Sequence, residues 1–210
     1  MTLDNFEKIK PLLKFEQPGN FYFIQIFKRR KDNSSMQMDM QVIRDYYVYS
    51  ENDLDRLRDQ IITECRCHNA RAYIRLNVRH SDKIALLLMK RLTDLILSGD
   101  TKAARNAYAS VCGEFHSDPE KKWLIDLDSV DSNNEEFVKS IIKMLWSENS
   151  MGGQIFAEIP TPNGKHLITS PFNLQKFRSE CSYIDVHKED RKSTRLNSSH
   201  IPLSRMPSSA

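Results

Sequence analysis

The chain contains 210 residues, of which 40% are hydrophobic and 28% are charged, and this composition fits one globular α/β domain with a sizeable core. Its longest apolar run, Ile84 to Met89, is too short to cross a bilayer, and its first residues lack the basic and apolar regions of a secretory signal. Four cysteines without a regular framework favour reduced thiols in a cytoplasm, and the 31 basic and 28 acidic side chains leave a formal net charge of +3.

The first half of the chain predicts a hairpin followed by a helix. Phe21 to Arg30 and Met40 to Ser50 are typical of strands, and the polar stretch between them indicates a turn. Ser50 begins a capping signal. The apolar residues after it have helical spacing: Leu54, Leu57, Ile61 and Cys65.

A second helix is predicted from Ser81, which can cap it, to Gly99, which can end it. A shorter helix from Thr101 to about Val111 follows. The residues of the second helix expected to face inward are Ile84, Leu87, Leu88, Leu92, Leu95 and Ile96.

Between the first two helices, residues 71–79 alternate strictly between polar and apolar side chains, which predicts a strand. A row of arginines with an interleaved aromatic residue suits backbone phosphates and stacked bases. The alternative is the polar face of a half-exposed strand whose arginines pair with nearby acids. The candidate residues for binding nucleic acid are Arg71, Tyr73, Arg75 and Arg79, with Asn77 on the same face.

The second half predicts interleaved strands and helices. Trp123 to Asp128 is typical of a strand, and residues 132–135 form a capping box for a helix that buries Phe137, Val138, Ile141, Ile142 and Leu145. Gln154 to Ile159 and Lys165 to Thr169 are predicted to pair as a hairpin. A short helix from Leu174 to Glu180 leads into a strand from Tyr183 to Val186. The whole order predicts an α+β fold with a mixed β-sheet and flanking helices.

Asp126 and Asp128 are the first candidates for chemistry. Residues two apart on a strand point to the same face, so the two carboxylates can hold a hard divalent cation together. The opposite face carries Trp123, Ile125 and Leu127, which are expected to pack inward. A solvated strand end that leads into an acidic turn is the alternative.

His166 and Asp185 complete the candidate site. His166 follows the Asn163-Gly164 turn, where its imidazole can contact a phosphate oxygen or transfer a proton. The alternative is a partly exposed surface histidine without a function. Asp185 is a lone carboxylate in an apolar strand, and an unpaired buried carboxylate is costly. It therefore predicts a partner or a metal, with an exposed edge strand as the alternative.

The order of these motifs is more specific than any one of them. A hydrophobic strand ending in Asp-x-Asp, a Gly-x-His turn and strand, and an apolar strand with Asp resemble the three motifs of the archaeo-eukaryotic primase superfamily. That superfamily includes primase-polymerases of phages, plasmids and mobile elements. The resemblance covers roughly residues 121–188, and Asn163 to Phe172 is a divergent variant of the second motif in which Gly164 fits.

The resemblance implies a metal-dependent nucleotidyltransferase in phage or mobile-element replication. Asp126, Asp128 and Asp185 would bind two Mg²⁺ or Mn²⁺ ions, and His166 would contact the phosphates of a nucleoside triphosphate. The implied fold is an RRM-like catalytic core at about residues 116–189, joined to an N-terminal αβ unit at about 1–115 in one domain. Single-stranded or primed DNA and a replicative helicase are the implied partners, in the cytoplasm of a bacterial host and without a membrane.

Residues 190–210 resemble the translation of a sequencing-library adapter, whose codons reproduce Asp190 to His200 residue for residue. We therefore expect a disordered, non-native tail, with a natural Ser/Pro-rich tail as the alternative. The natural protein is then expected to continue beyond Lys188. Without the four basic residues and one acidic residue of this tail, 27 remain of each sign, so any affinity for nucleic acid must come from a local patch.

Two other functions fit the same residues. The carboxylates serve equally well in a metal-dependent nuclease, with His166 or His187 as the base that positions a water. The third hypothesis is a phage protein that binds nucleic acid through the arginine strand without catalysis, in which the acidic residues are structural.

Overall fold

The computed structural model describes residues 3–116, 120–128, 130–149, 154–188 and 200–205. Helices and strands interleave, which confirms the predicted α+β class. The described strands form two sheets in which every pairing is antiparallel, rather than the single mixed sheet that the sequence predicted.

Residues 3–116, the first range that the structure describes, contain five strands and four helices. The strands are β1 (Leu3–Asp4), β2 (Asn20–Arg29), β3 (Met40–Val48), β4 (Arg71–Arg75) and β5 (Arg79–His80). The helices are α1 (Phe6–Ile9), α2 (Glu51–His68), α3 (Ser81–Leu97) and α4 (Ala107–Glu114). Short 3₁₀ turns occupy Lys10–Leu12, Arg30–Asp32 and Ala103–Asn106.

The rest of the chain supplies the other elements. The strands are β6 (Trp123–Asp126), β7 (Ile155–Pro160), β8 (Lys165–Thr169), β9 (Asp185–His187) and β10 (His200–Arg205). The helices are α5 (Ser132–Asn149) and α6 (Leu174–Glu180).

The first sheet has the strand order β1-β10-β4-β2-β3, with β5 paired to one end of β2. Strand β10 lies between β1 and β4, so His200–Arg205 form regular structure where the sequence analysis expected disorder. The remainder of the predicted tail, 190–199 and 206–210, lies outside the described residues.

Helix α2 packs on this sheet and has the ends that its sequence predicts. The Ser50 hydroxyl accepts a hydrogen bond from the Asp53 amide at 3.1 Å, which satisfies one of the free donors of the first turn. Asn69 ends the helix in the left-handed conformation, at φ 46°. Leu54, Ile61 and Cys65 are buried against the sheet as their spacing predicted.

The second sheet forms a compact β-α-β-β-α-β unit. Its order is β7-β8-β6-β9, and α5 and α6 connect β6 to β7 and β8 to β9. This is the four-stranded arrangement expected for an RRM-like core.

The two faces of this second sheet have different neighbours. Ile125 and Leu127 are buried, as the sequence predicted, and they pack with residues of α5 and α6. A buried side chain of this size contributes roughly 1.5–3 kcal/mol. Leu124, Ile159 and Ile168 point the other way and join the hydrophobic core of the first sheet. Asp126, two residues after Leu124, therefore lies on the face that is turned towards the first half of the chain.

Four local predictions were wrong. The strand expected over 71–79 is broken after Arg75, because β5 pairs with the beginning of β2 instead. Phe137 and Ile96, predicted to face inward, are 43% and 64% exposed. Helix α5 is capped by Asp131, whose carboxylate accepts the Asn134 amide at 2.9 Å, rather than by Ser132.

In the part of the chain that the structure describes, no helix is both long enough and apolar enough to pass through a bilayer.

Candidate metal centre

The site begins where β6 ends. Asp126 is its last residue, and the Asp128 amide donates a hydrogen bond to Asp126 Oδ1 at 2.9 Å. The Leu127 amide donates to the Lys165 carbonyl at 2.9 Å, which carries the pairing with β8 one residue beyond the strand. The backbone thus presents two partly exposed carboxylates close together at one end of the sheet.

His166 lies directly across from Asp126 on the neighbouring strand β8. Opposed residues of an antiparallel pair share a face, and His166 Nε2 is 3.8 Å from Asp126 Oδ1. One ligand atom from each of Asp126, Asp128 and His166 falls within 4.8 Å of the others. The structure therefore brings together three residues that the sequence selected, in a group that could hold a metal ion.

The electrostatics of this group favour a cation. Within the described ranges, neither Asp126 nor Asp128 forms an ion pair with a lysine or an arginine, so no permanently charged basic side chain neutralises the two carboxylates. Like charges at this separation repel, and a bound cation removes the repulsion.

His166 has the protonation state that a ligand needs. The residue is 8% exposed, and burial lowers the pKa of its imidazole, while the carboxylates of Asp126 and Asp128 oppose this by stabilising the charged form. The net shift is downward, so the neutral imidazole, which is the form that binds metals, predominates at neutral pH. Its Nδ1 is buried without a hydrogen-bond partner among the described residues.

The loop between β7 and β8 holds Asp128 in place. The Thr161 hydroxyl donates a hydrogen bond to Asp128 Oδ1 and accepts one from the Asn163 amide at 3.3 Å. The Thr161 amide in turn donates to the Gly164 carbonyl at 3.0 Å. The sequence interpretation quoted this turn for Gly164 and His166 and missed Thr161. The signal in the sequence was the threonine itself, because a threonine hydroxyl in a turn tends to form hydrogen bonds with nearby groups of the chain.

Gly164 allows this loop to approach the end of β6. A Cβ atom at Gly164 would lie 2.4 Å from the Leu127 carbonyl oxygen and 3.0 Å from Asp128 Cα. Real Cβ atoms do not come that close to backbone, so the position requires glycine. The glycine that precedes the histidine therefore has a direct structural role in placing Asp128.

Lys165 points to the opposite face from His166, as the alternation of β8 predicts. Its ammonium group lies 2.7 Å from Glu135 of α5, which also binds Lys139 at 2.6 Å. Lys139 reaches Glu158 of β7 at 2.6 Å. This network ties α5 to the hairpin from behind and leaves the His166 face to the site.

We expect the Thr161 hydroxyl to position Asp128 for a cation. Thr161→Val keeps the shape of the side chain but releases the carboxylate, so the Kd for Mn²⁺ should rise by roughly 10-fold, as for other partners that orient metal ligands. Thr161→Ser keeps the hydroxyl and should bind as the unchanged protein does. Calorimetric titration of both variants tests this, and equal affinities would show that the hydrogen bond has no such role.

Asp185 lies beside the group but outside it. Its register partner on β6 is Asp126, on the side away from His166, and its side chain is exposed. His166, Asp126 and Asp185 thus form a row across three neighbouring strands on one face. The three-residue group that falls within 4.8 Å does not include Asp185.

The arginine strand lies away from the acidic group. Ala72 and Ile74 pack into the core that also contains Leu124, so the alternating Arg71, Tyr73 and Arg75 face the far side of the first sheet. Arg71 is paired with Asp32 at 2.5 Å, and the Tyr73 hydroxyl accepts a hydrogen bond from Arg29 at 3.1 Å.

Arg75 and Arg79 are buried, with 8% and 0% exposure. The Arg79 Nε donates to the Cys112 carbonyl at 2.8 Å. Neither guanidinium is available to a phosphate backbone in this structure, contrary to the sequence interpretation. The alternative, arginines paired with nearby acids, describes Arg71, which binds Asp32, but not Arg79, which is buried and donates to backbone carbonyls.

Comparison with protein-family models, with curated proteins and with solved structures finds no match for this chain.

Proposed function

We propose that this chain is the core of a metal-dependent nucleotidyltransferase of the primase-polymerase type. The observation that carries the proposal is the grouping of Asp126, Asp128 and His166 within 4.8 Å on one face of a four-stranded sheet. These are three of the four residues that the motif resemblance selected, and Asp185, the fourth, is the register partner of Asp126. Fold alone would not support a function.

Mg²⁺ or Mn²⁺ is the proposed metal, because carboxylates are the ligands that these hard cations prefer, and Mn²⁺ also accepts imidazole. Asp126 and Asp128, with His166 beside them, would hold one ion, and Asp126 with Asp185 a second. When bound, such ions stabilise the attacking and the leaving oxygens of a nucleotidyl transfer.

The residues have distinct proposed roles. Asp126 occupies the centre of the row and would serve both ions, whereas Asp128 is oriented by Thr161 for one of them. The neutral imidazole of His166 would contact the triphosphate, and it lies close enough to the carboxylates to be a third ligand. Burial of its ring excludes water from that side of the site.

The proposed substrates are nucleoside triphosphates and single-stranded or primed DNA, and a replicative helicase is a proposed partner. Replication of a phage or mobile element in a bacterial cytoplasm is the proposed setting. These proposals rest on the motif resemblance in residues 121–188.

The test combines three assays on the unchanged chain and on the double variant Asp126→Ala, Asp128→Ala. The assays are nucleotide incorporation on a primed template, cleavage of the same DNA, and DNA binding. Loss of incorporation with retained DNA binding is the expected result. Loss of cleavage in place of incorporation would identify a nuclease, and no change in any assay would contradict a catalytic role for the two carboxylates.

A further inference from the structure

A hydrogen bond links the start of the chain to the loop that holds Asp128. Asn5 lies between β1 and α1, and its side chain is fully buried. Its Nδ2 donates to the Pro160 carbonyl at 3.1 Å, 155 positions further along the chain. Pro160 is the last residue of β7 and directly precedes Thr161. A buried amide donor is costly to leave without an acceptor, so this bond fixes the loop relative to Asn5.

Asn5 is itself held firmly in place. The Arg58 guanidinium of α2 binds Asp4 and Glu7, on either side of Asn5, at 2.7 Å each. The apolar residues of α1 belong to the same hydrophobic core as Ile159 of β7. The segment that carries Asn5 is thus anchored both at the surface and in the core, and it offers the loop a donor in a fixed position.

The bond from Asn5 acts on the peptide group from which the Thr161 side chain starts. The Pro160 carbonyl and the Thr161 amide belong to one planar peptide unit. Asn5 binds the carbonyl end of this unit, and the amide end donates to the Gly164 carbonyl at 3.0 Å. The plane is therefore fixed at both ends. This directs the Thr161 hydroxyl, which donates to the carboxylate of Asp128.

We propose that Asn5 is a positioning residue for the metal group, and that it acts on Asp128 through the Pro160–Thr161 peptide and the Thr161 hydroxyl. All three ligands of the group come from residues 126–166, so the first part of the chain would contribute to the site without touching the ion. The effect on metal affinity rests on the proposed function, whereas the ordering of the loop does not.

Amide hydrogen exchange of the full chain without metal tests the ordering of the loop. Asn5→Ser shortens the side chain so that it no longer reaches the Pro160 carbonyl, and serine is well accepted immediately before a helix. Exchange of the Thr161 amide should become faster by roughly tenfold, because the peptide plane is then fixed at one end only. Urea denaturation of each variant corrects this value for any change in global stability.

Asn77→Ser is the matched control. Asn77 is also almost fully buried, and its Nδ2 donates to the Lys122 carbonyl at 3.1 Å, the same kind of bond at the same length. Lys122, however, precedes β6, whereas the metal group lies where β6 ends. After the same correction, this variant should leave exchange of the Thr161 amide unchanged.

Arg58→Gln tests the same link from the surface. The Arg58 side chain is 33% exposed, so its replacement does not endanger the fold, and it releases Asp4 and Glu7 beside Asn5. Exchange of the Thr161 amide should again become faster, by a smaller factor, because such ion pairs contribute little. If Asn5→Ser did not fold, Arg58→Gln alone would decide. Unchanged exchange in every folded variant of the two would overturn the proposal.

The route through Thr161 is tested by the Kd for Mn²⁺. Asn5→Ser should raise this Kd by roughly threefold to tenfold, as a partner one step further from the ligand than Thr161. In a chain that already carries Thr161→Val, it should change the Kd by less than about twofold, because the route is interrupted. The same increase in both backgrounds would overturn the route.

The two proposals fail in different ways. An unchanged chain that binds no Mn²⁺ would contradict the proposed function, and the exchange of the Thr161 amide would still decide the role of Asn5. A chain that binds Mn²⁺ with the same Kd before and after Asn5→Ser would contradict only the positioning role.

Discussion

Asp126→Asn is expected to raise the Kd for Mn²⁺ by at least about 100-fold, which corresponds to ~2.7 kcal/mol of binding free energy. Asp126 is the register neighbour of both His166 and Asp185, and its carboxylate lies within 4.8 Å of the other two members of the group. Even residues that only orient a metal ligand contribute about 10–100-fold to affinity, so loss of a charged ligand should cost at least the upper figure.

The fold should survive this substitution. An asparagine side-chain carbonyl can still accept the hydrogen bond that Asp126 Oδ1 receives from the Asp128 amide. Removing one of two adjacent negative charges also relieves repulsion, so the free energy of unfolding without metal should be unchanged or higher. The control is Asp59→Asn, an exposed carboxylate on α2 that should leave Mn²⁺ affinity as it is. Calorimetric titration measures both variants, and equal affinities would exclude Asp126 as a ligand.

Gly164→Ala is expected to reduce the free energy of unfolding by about 2 kcal/mol, within the range for overpacked positions. The added Cβ would lie 2.4 Å from the Leu127 carbonyl oxygen. The loop that contains Gly164 and the end of β6 must therefore move away from each other, which also weakens the hydrogen bond from the Leu127 amide to the Lys165 carbonyl. Because Asp128 directly follows Leu127, this movement also displaces its carboxylate, and we expect the affinity for Mn²⁺ to fall as well.

Gly113→Ala provides the matched control with the opposite sign. Gly113 lies within α4, and a Cβ there would meet only the end of the Arg75 side chain, at 3.4 Å. Alanine is favoured over glycine within a helix by about 1 kcal/mol. Urea denaturation of both variants tests the contrast. Equal stabilities for Gly164→Ala and the unchanged chain would show that the fold does not require the loop to lie this close to the end of β6.

Much of the site could be predicted because the relevant signals are local. Asp126 and Asp128 are two residues apart, and alternation along a strand does not depend on the rest of the fold. The Asn163-Gly164 turn likewise determines where β8 begins, so His166 was placed on a strand correctly. The pairing of β6 with β8, however, could be expected only from the order of the motifs along the chain, because the composition of each motif does not show which strands are neighbours.

The errors arose where tertiary contacts override a local pattern. Residues 71–79 alternate perfectly, yet the chain leaves β4 after Arg75 because β5 pairs with the beginning of β2. Between the two strands, the side-chain amide of Asn77 donates to the Lys122 carbonyl and accepts from the Lys122 amide, next to β6. Arg79 was expected at the surface by the same alternation and is instead enclosed near α4. Spacing alone cannot show which face of such a strand a later helix will cover.

Helix α3 illustrates a second kind of error. Its apolar residues surround most of the helix, so periodicity could not decide which of them face the sheet. The structure assigns Ile84 to the core and leaves Leu86, Met89 and Ile96 exposed.

The central proposal is that Asp126, Asp128 and His166, which form a group that could hold a metal ion, would bind a metal that acts on nucleotides. Its most direct test is calorimetric titration of a preformed Mn²⁺–nucleoside triphosphate complex into the chain, compared with titration of Mn²⁺ alone. We predict that the complex binds more tightly than the free ion and that Asp128→Ala abolishes both binding events. A well-folded sample that binds neither the ion nor the complex would contradict the claim.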